Sequence, residues 1–159
     1  MNKKFLQQKE TCIRFTKTLT RYLLAMLFML FAIGTQAQWS NVGNAGFSAD
    51  QASWTSLAFE GSTPYVAFRD AATSNKATVM KYNGVGWITV GNAGFSSSTV
   101  TNTSLAFDGS TPYVGFTDGG SGNKATVMKF NGISWVTVGS AGFSAAFADY
   151  LSLELDGST

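Results

Sequence analysis

The chain has 159 residues, 11 basic and 9 acidic for a formal charge of +2, with no histidine and a single cysteine, Cys12. That inventory excludes Ser-His-Asp triads and ordinary histidine- or cysteine-based zinc sites, and it leaves carboxylates as the acid or base groups. Six of the basic residues (Lys3, Lys4, Lys9, Arg14, Lys17 and Arg21) fall in the first 21 positions; from residue 38 onward five basic minus eight acidic residues gives −3, too little positive charge for a nucleic-acid partner.

The first predicted element follows this basic stretch. Residues 22–34, YLLAMLFMLFAIG, are an uncharged 13-residue run, and TQAQW comes directly after it. A basic segment, an apolar segment and small residues at Thr35 and Ala37 predict an N-terminal signal helix, with residues 1–37 removed by cleavage after Ala37. Crossing a bilayer takes about 17–25 apolar residues, so the run is too short for a retained anchor and no membrane span is expected after cleavage. Cys12 precedes the run and leaves with it. The remaining chain, secreted or held at the cell surface, must then be stabilised by packing without disulfides.

Residues 38–159 are dominated by a repeat. Trp39, Trp87 and Trp135 are spaced 48 apart, and residues 39–86 match residues 87–134 at 30 of 48 positions; a partial copy occupies 135–159. Each copy holds four β-type runs, A to D: TSLAF, PYVAF, KATVMKY and WITV in the first. Turn chemistry separates them: EGST or DGST between A and B, and Asn83-Gly84 or Asn131-Gly132 between C and D, are strong hairpin signals. The A and B runs carry apolar residues on both faces, as a sheet covered on both sides requires. Four antiparallel strands at this period predict an all-β, β-propeller-type fold of four-stranded blades. A two-sheet sandwich does not account for near-identical 48-residue units.

In run order the exported part reads D-ABCD-ABCD-A. It opens on a lone D run, WSNVG at 39–43, and reaches LELDGST in the middle of a third hairpin. Two full and two partial units predict an incomplete ring, as in a truncated reading frame or a fragment of a longer parent, with open edges that invite self-association.

The units, with W-x-x-VG-x-AGFS, SLAFDGSTPYVAF and NKATVMKYNG, resemble secreted bacterial β-propeller repeat proteins over residues 39–159. The resemblance implies a propeller in the broad kelch and galactose-oxidase-like neighbourhood, exported or surface-displayed, with no assigned chemistry. The kelch glycine pair occurs in one copy only, as Gly119-Gly120. A sialidase-type Asp-box is approximated by SADQASW at 48–54, one residue short and with Ala52 at its glycine position. Neither activity is carried over.

Candidate functional residues fall at one edge. In an antiparallel meander the D-to-A and B-to-C connections share a rim, and these segments are the ones that differ between copies: ADQASW against SSTVTN, and AATS against GGSG. Variation on one rim of a repeated scaffold is how loop-borne binding surfaces are built. Asp70 and Asp118 open the B-to-C loops. They are expected to cap those loops by Asx-type hydrogen bonding rather than to hold calcium, which needs more oxygen ligands than the loops offer. Trp54, Asn102 and Tyr150 share one repeat position just before run A; aromatic in two of three copies, it is the candidate for stacking on a sugar or peptide. No cofactor, metal or catalytic residue is expected. The expected function is non-enzymatic binding or display, with a glycan, a peptide or a surface protein as partner. A hydrolase or lyase using Asp70 and Asp118, and a structural spacer within a larger surface protein, are the alternatives.

Overall fold

A computed structural model describes residues 14–24, 26 and 38–156. The expected cleavage after Ala37, most of the apolar run, Cys12 and the last three residues lie outside the described residues. The chain divides into two units, Met1–Ser40 and Asn41–Thr159. In the first, residues 14–24 form a helix, α1, in which the Thr18 and Thr20 hydroxyls donate back to the carbonyls of Arg14 and Thr16, each at 2.8 Å. Among the described residues no helix is long and apolar enough to cross a membrane.

The second unit is β throughout. β1 (Ala52–Glu60), β2 (Thr63–Asp70), β3 (Lys76–Tyr82) and β4 (Trp87–Thr89) form one four-stranded antiparallel sheet in chain order. β5 (Val100–Asp108), β6 (Thr111–Asp118), β7 (Lys124–Phe130) and β8 (Trp135–Thr137) repeat it. Neither sheet closes into a barrel. The hairpins between β1 and β2 and between β5 and β6 turn in two residues, because Gly61 and Gly109 take φ of 57° and 55° at the first turn position, where a side chain would be strained. Single 3-10 turns, Ala71–Thr73 and Gly119–Ser121, join the second and third strands of each sheet.

Each sheet has a small face, on which alanine, glycine and valine surround one tyrosine, and a large face of leucine, phenylalanine, valine and methionine. The register places Ala58, Tyr65, Ala67, Val79 and Ala77 together, and Leu57, Phe59, Val66, Phe68 and Met80 on the opposite side. The core forms where the small face of the first sheet meets the large face of the second. Tyr65, Ala67, Ala77 and Val79 are buried against Leu105, Val114, Phe116, Met128 and Trp135, with Ala58 and Phe107 packed around them. The Tyr65 and Phe107 rings meet edge to face, centroids 4.9 Å apart. Burying a side chain such as Leu105 contributes roughly 1.5–3 kcal/mol. Polar contacts fix the stacking: the Leu105 amide donates to Ser56 Oγ at 2.9 Å, and the Thr103 hydroxyl donates to the Trp54 carbonyl.

Two runs expected as strands are not in a ladder. Residues 38–50, which include the lone D run, carry no strand; from Asn41 onward the segment is held by side chains, with Trp87 Nε1 donating to the Val42 carbonyl at 2.8 Å and Phe47 stacked on Trp87 at 4.2 Å. Residues 151–156, the third A run, carry no ladder either. In both cases the runs have the sequence of a strand but, among the described residues, no neighbouring strand with which to exchange main-chain hydrogen bonds.

Candidate functional site

The meander brings the connections between successive sheets and the 3-10 turns to one rim and ties them with main-chain bonds. The amide of Gly119 donates to the Thr99 carbonyl at 2.9 Å, that of Val100 to Asn75 at 3.0 Å, and that of Ala71 to Gln51 at 3.1 Å. The segments that vary between copies therefore form one surface, built on strands that hardly vary.

Asp70 and Asp118 are buried at the base of this rim, and their oxygens are engaged inside the fold. Asp70 Oδ1 accepts from the Ala72 amide at 3.0 Å and Oδ2 from the Thr78 hydroxyl at 2.9 Å. Asp118 accepts from the Gly120 amide at 2.9 Å, the Ser121 hydroxyl at 2.9 Å and the Thr126 hydroxyl at 3.2 Å. Each is thus the N-cap of its 3-10 turn. Both carboxylates serve the fold as internal acceptors that tie each 3-10 turn to the following strand. Among the described residues no three His, Cys, Asp or Glu side chains cluster as a metal would need.

Trp54, Asn102 and Tyr150 prove to be backbone equivalents as well as sequence equivalents, with φ of 54°, 53° and 52°. In β1 and β5 this residue sits in a β-bulge, where the register slips between Ser53 and Ser56 and between Thr101 and Ser104. Asparagine tolerates the left-handed region, and Asn102 is buried there: its Nδ2 donates to Asp149 Oδ1 at 2.7 Å and Thr117 Oγ1 at 3.2 Å. The two aromatics have no such ease. Trp54 is 46 % and Tyr150 86 % exposed, so two large rings hold a strained backbone conformation without being buried by it.

Sequence reasoning missed the residues that hold the rim together. Thr78 and Thr126 each donate to the aspartate and accept from Gly94 and Gly142, at 2.9 and 2.8 Å. Ser96 and Ser144 accept from the Ala77 and Ala125 amides at 3.0 Å. Their signal was recurrence at the 48-residue period, which does not distinguish a scaffold hydroxyl from a drifting one. At the same rim, beside Ser53 in the ladder, Arg69 carries a buried Nε with no hydrogen-bond partner among the described residues.

A second concavity was also missed. On the opposite edge a groove of about 500 Å³ opens between the two sheets, lined by Glu60, Tyr65, Lys81, Thr111, Lys129 and Asn131 among others. Tyr65 donates to Glu60 Oε2 at 2.7 Å, and Lys81 Nζ lies 5.6 Å from the Tyr65 ring centre. Burial, then the hydrogen bond to Glu60, then the Glu60 charge push the Tyr65 phenol up to about 12, so it is a donor and not a base at ordinary pH.

No protein-family model matches the chain. Comparison with curated proteins likewise finds no match.

Proposed function

We propose that this chain is an exported β-propeller-type repeat module, each sheet being one blade, that binds or displays without catalysis through its variable rim. The observation that carries this reading is the contrast at the rim. The carboxylates that would serve as acid and base are buried and engaged as caps, whereas Trp54 and Tyr150 stand exposed at strained positions. At Trp54 the bulge and its carbonyl contact to Thr103 hold the strained backbone without burying the ring, which leaves the side chain presented for use. Exposed aromatic faces stack on sugar rings or peptide side chains, so a glycan, a peptide or a surface protein is the partner class.

Export through residues 1–37 belongs to the same proposal. N-terminal sequencing of the protein recovered outside the cell should begin at Gln38. Binding is tested on an immobilised glycan and peptide panel with the wild type, Trp54→Ala and Tyr150→Ala: a signal reduced at least tenfold by either substitution supports the rim, and a signal untouched by both removes it. Turnover of a panel glycan that is abolished by Asp70→Asn with Asp118→Asn would replace binding by hydrolysis or elimination.

A further inference from the structure

The two kinds of face that meet in the core each occur once more, on the outer sides of the second unit. On the small face of the second sheet, which holds Ala106, Tyr113, Gly115 and Val127, residues 148–155 already lie. The Leu153 amide donates to Ser104 Oγ at 2.9 Å, the bond that Leu105 makes to Ser56 one repeat earlier. A Cβ on Gly115 would meet the Leu153 side chain at 3.7 Å. On the large face of the first sheet Phe68 is buried and Phe47 stacks on Trp87, but the described residues leave its β1 side uncovered. Leu57 and Phe59, equivalent to Leu105 and Phe107, are 59 % and 56 % exposed.

We propose that a second copy of this chain covers them, docking head to tail so that β1 of one copy enters the place that residues 149–155 hold on the second sheet of the other. A second copy is the occupant because the same contact is already built twice within the chain, with Leu105 on the first sheet and Leu153 on the second. The seated run is displaceable. It is a single extended segment without a ladder, anchored at its base by the Ala148 amide to the Asn123 carbonyl (3.0 Å) and the Thr117 hydroxyl to the Ala148 carbonyl (2.7 Å), and beyond that by the Asn102–Asp149 contact (2.7 Å) and the Leu153–Ser104 bond. β1 arrives with its whole sheet behind it and with Leu57 and Phe59 in register. Because the two faces differ, the contact is heterologous and generates rings or open chains rather than an isologous dimer.

The test uses the full chain. Leu57→Cys and Gly115→Cys, each combined with Cys12→Ser, are mixed and oxidised with diamide. A disulfide-linked dimer in the mixture, at least tenfold above either variant alone, is expected. No dimer, or an equal yield from a single variant, overturns the proposal. Should Gly115→Cys fail to fold, the doubly substituted Leu57→Glu, Phe59→Glu chain decides by sedimentation equilibrium, since both side chains are exposed and dispensable to the monomer. A wild-type mass that rises with concentration, and a variant that stays monomeric, support the docking; a wild type that is monomeric throughout, or a variant that associates equally, contradicts it.

Discussion

The two sheets are nearly the same sequence in different surroundings. Leu57 and Leu105 occupy the same position on β1 and β5, yet one is 59 % exposed and the other 6 %. Trp87 and Trp135 each stack on a phenylalanine, Phe47 at 4.2 Å and Phe95 at 4.4 Å, but only Trp135 is buried. The difference teaches that one repeat does not make its own core. Its strands specify a sheet, and the neighbouring repeat decides which face of that sheet leaves water.

The largest break in this comparison is expected at the tryptophans. Trp135→Ala should cost about 3–5 kcal/mol in urea unfolding, and Trp87→Ala clearly less because the ring starts half-buried. Leu105→Ala should cost about 2–5 kcal/mol, while Leu57→Ala should stay within about 0.5 kcal/mol. Equal losses for identical residues would mean that burial is not what separates the two sheets.

Alkaline pH sharpens the contrast at the sheet interface. Tyr65 keeps its proton in the fold up to about pH 12, whereas in the unfolded chain a tyrosine releases it near 10. Between those values the unfolded state binds fewer protons, so the stability that the neutral phenol contributes is present below pH 10 and is lost as pH rises towards 12. In Tyr65→Phe that component of the alkaline slope should disappear.

The aspartates compare the two loops of the rim. Asp118→Ala should cost about 1–3 kcal/mol by leaving donors unsatisfied. Asp70→Ala should cost somewhat less, since Asp70 accepts from Ala72 and Thr78 where Asp118 accepts from Gly120, Ser121 and Thr126. The smallest effect runs the other way: Trp54→Asn should raise stability by about 1 kcal/mol in thermal melts, because asparagine suits the left-handed backbone that tryptophan resists.

The strands were legible because their signals are local. TSLAF, PYVAF, KATVMKY and WITV alternate or run apolar between Gly, Asn and Pro, and they lie within β1 to β4 except for Val90, which falls just past β4. The start of β1 was not legible. It begins at Ala52 because the bulge at Trp54 lets pairing continue through an extra residue, and an extra residue destroys the period of two on which a strand is read. The Val-Gly pair after each tryptophan was visible only as a repeat. Its reason is tertiary: Trp135 Nε1 donates to the Val90 carbonyl at 2.8 Å, and a Cβ on Gly91 would come within 2.9 Å of Phe130. At the candidate site, the capping of the loops by Asp70 and Asp118 followed from residue type and position. The burial of Asn102 against Asp149, 47 residues away, and the groove beside Glu60 and Tyr65 arise only when one repeat is stacked on the next.

Native-state hydrogen exchange at the Leu57 and Leu105 amides tests the role of the neighbouring repeat most directly, at a dilution where the mass is that of a monomer. The Leu105 amide, bonded to Ser56 Oγ beneath a buried side chain, should exchange only with global unfolding, and the Leu57 amide on the outer edge of β1 should exchange orders of magnitude faster. Equal protection of the two amides in the monomer would contradict the conclusion that stacking of successive repeats, rather than each repeat's own sequence, builds the core.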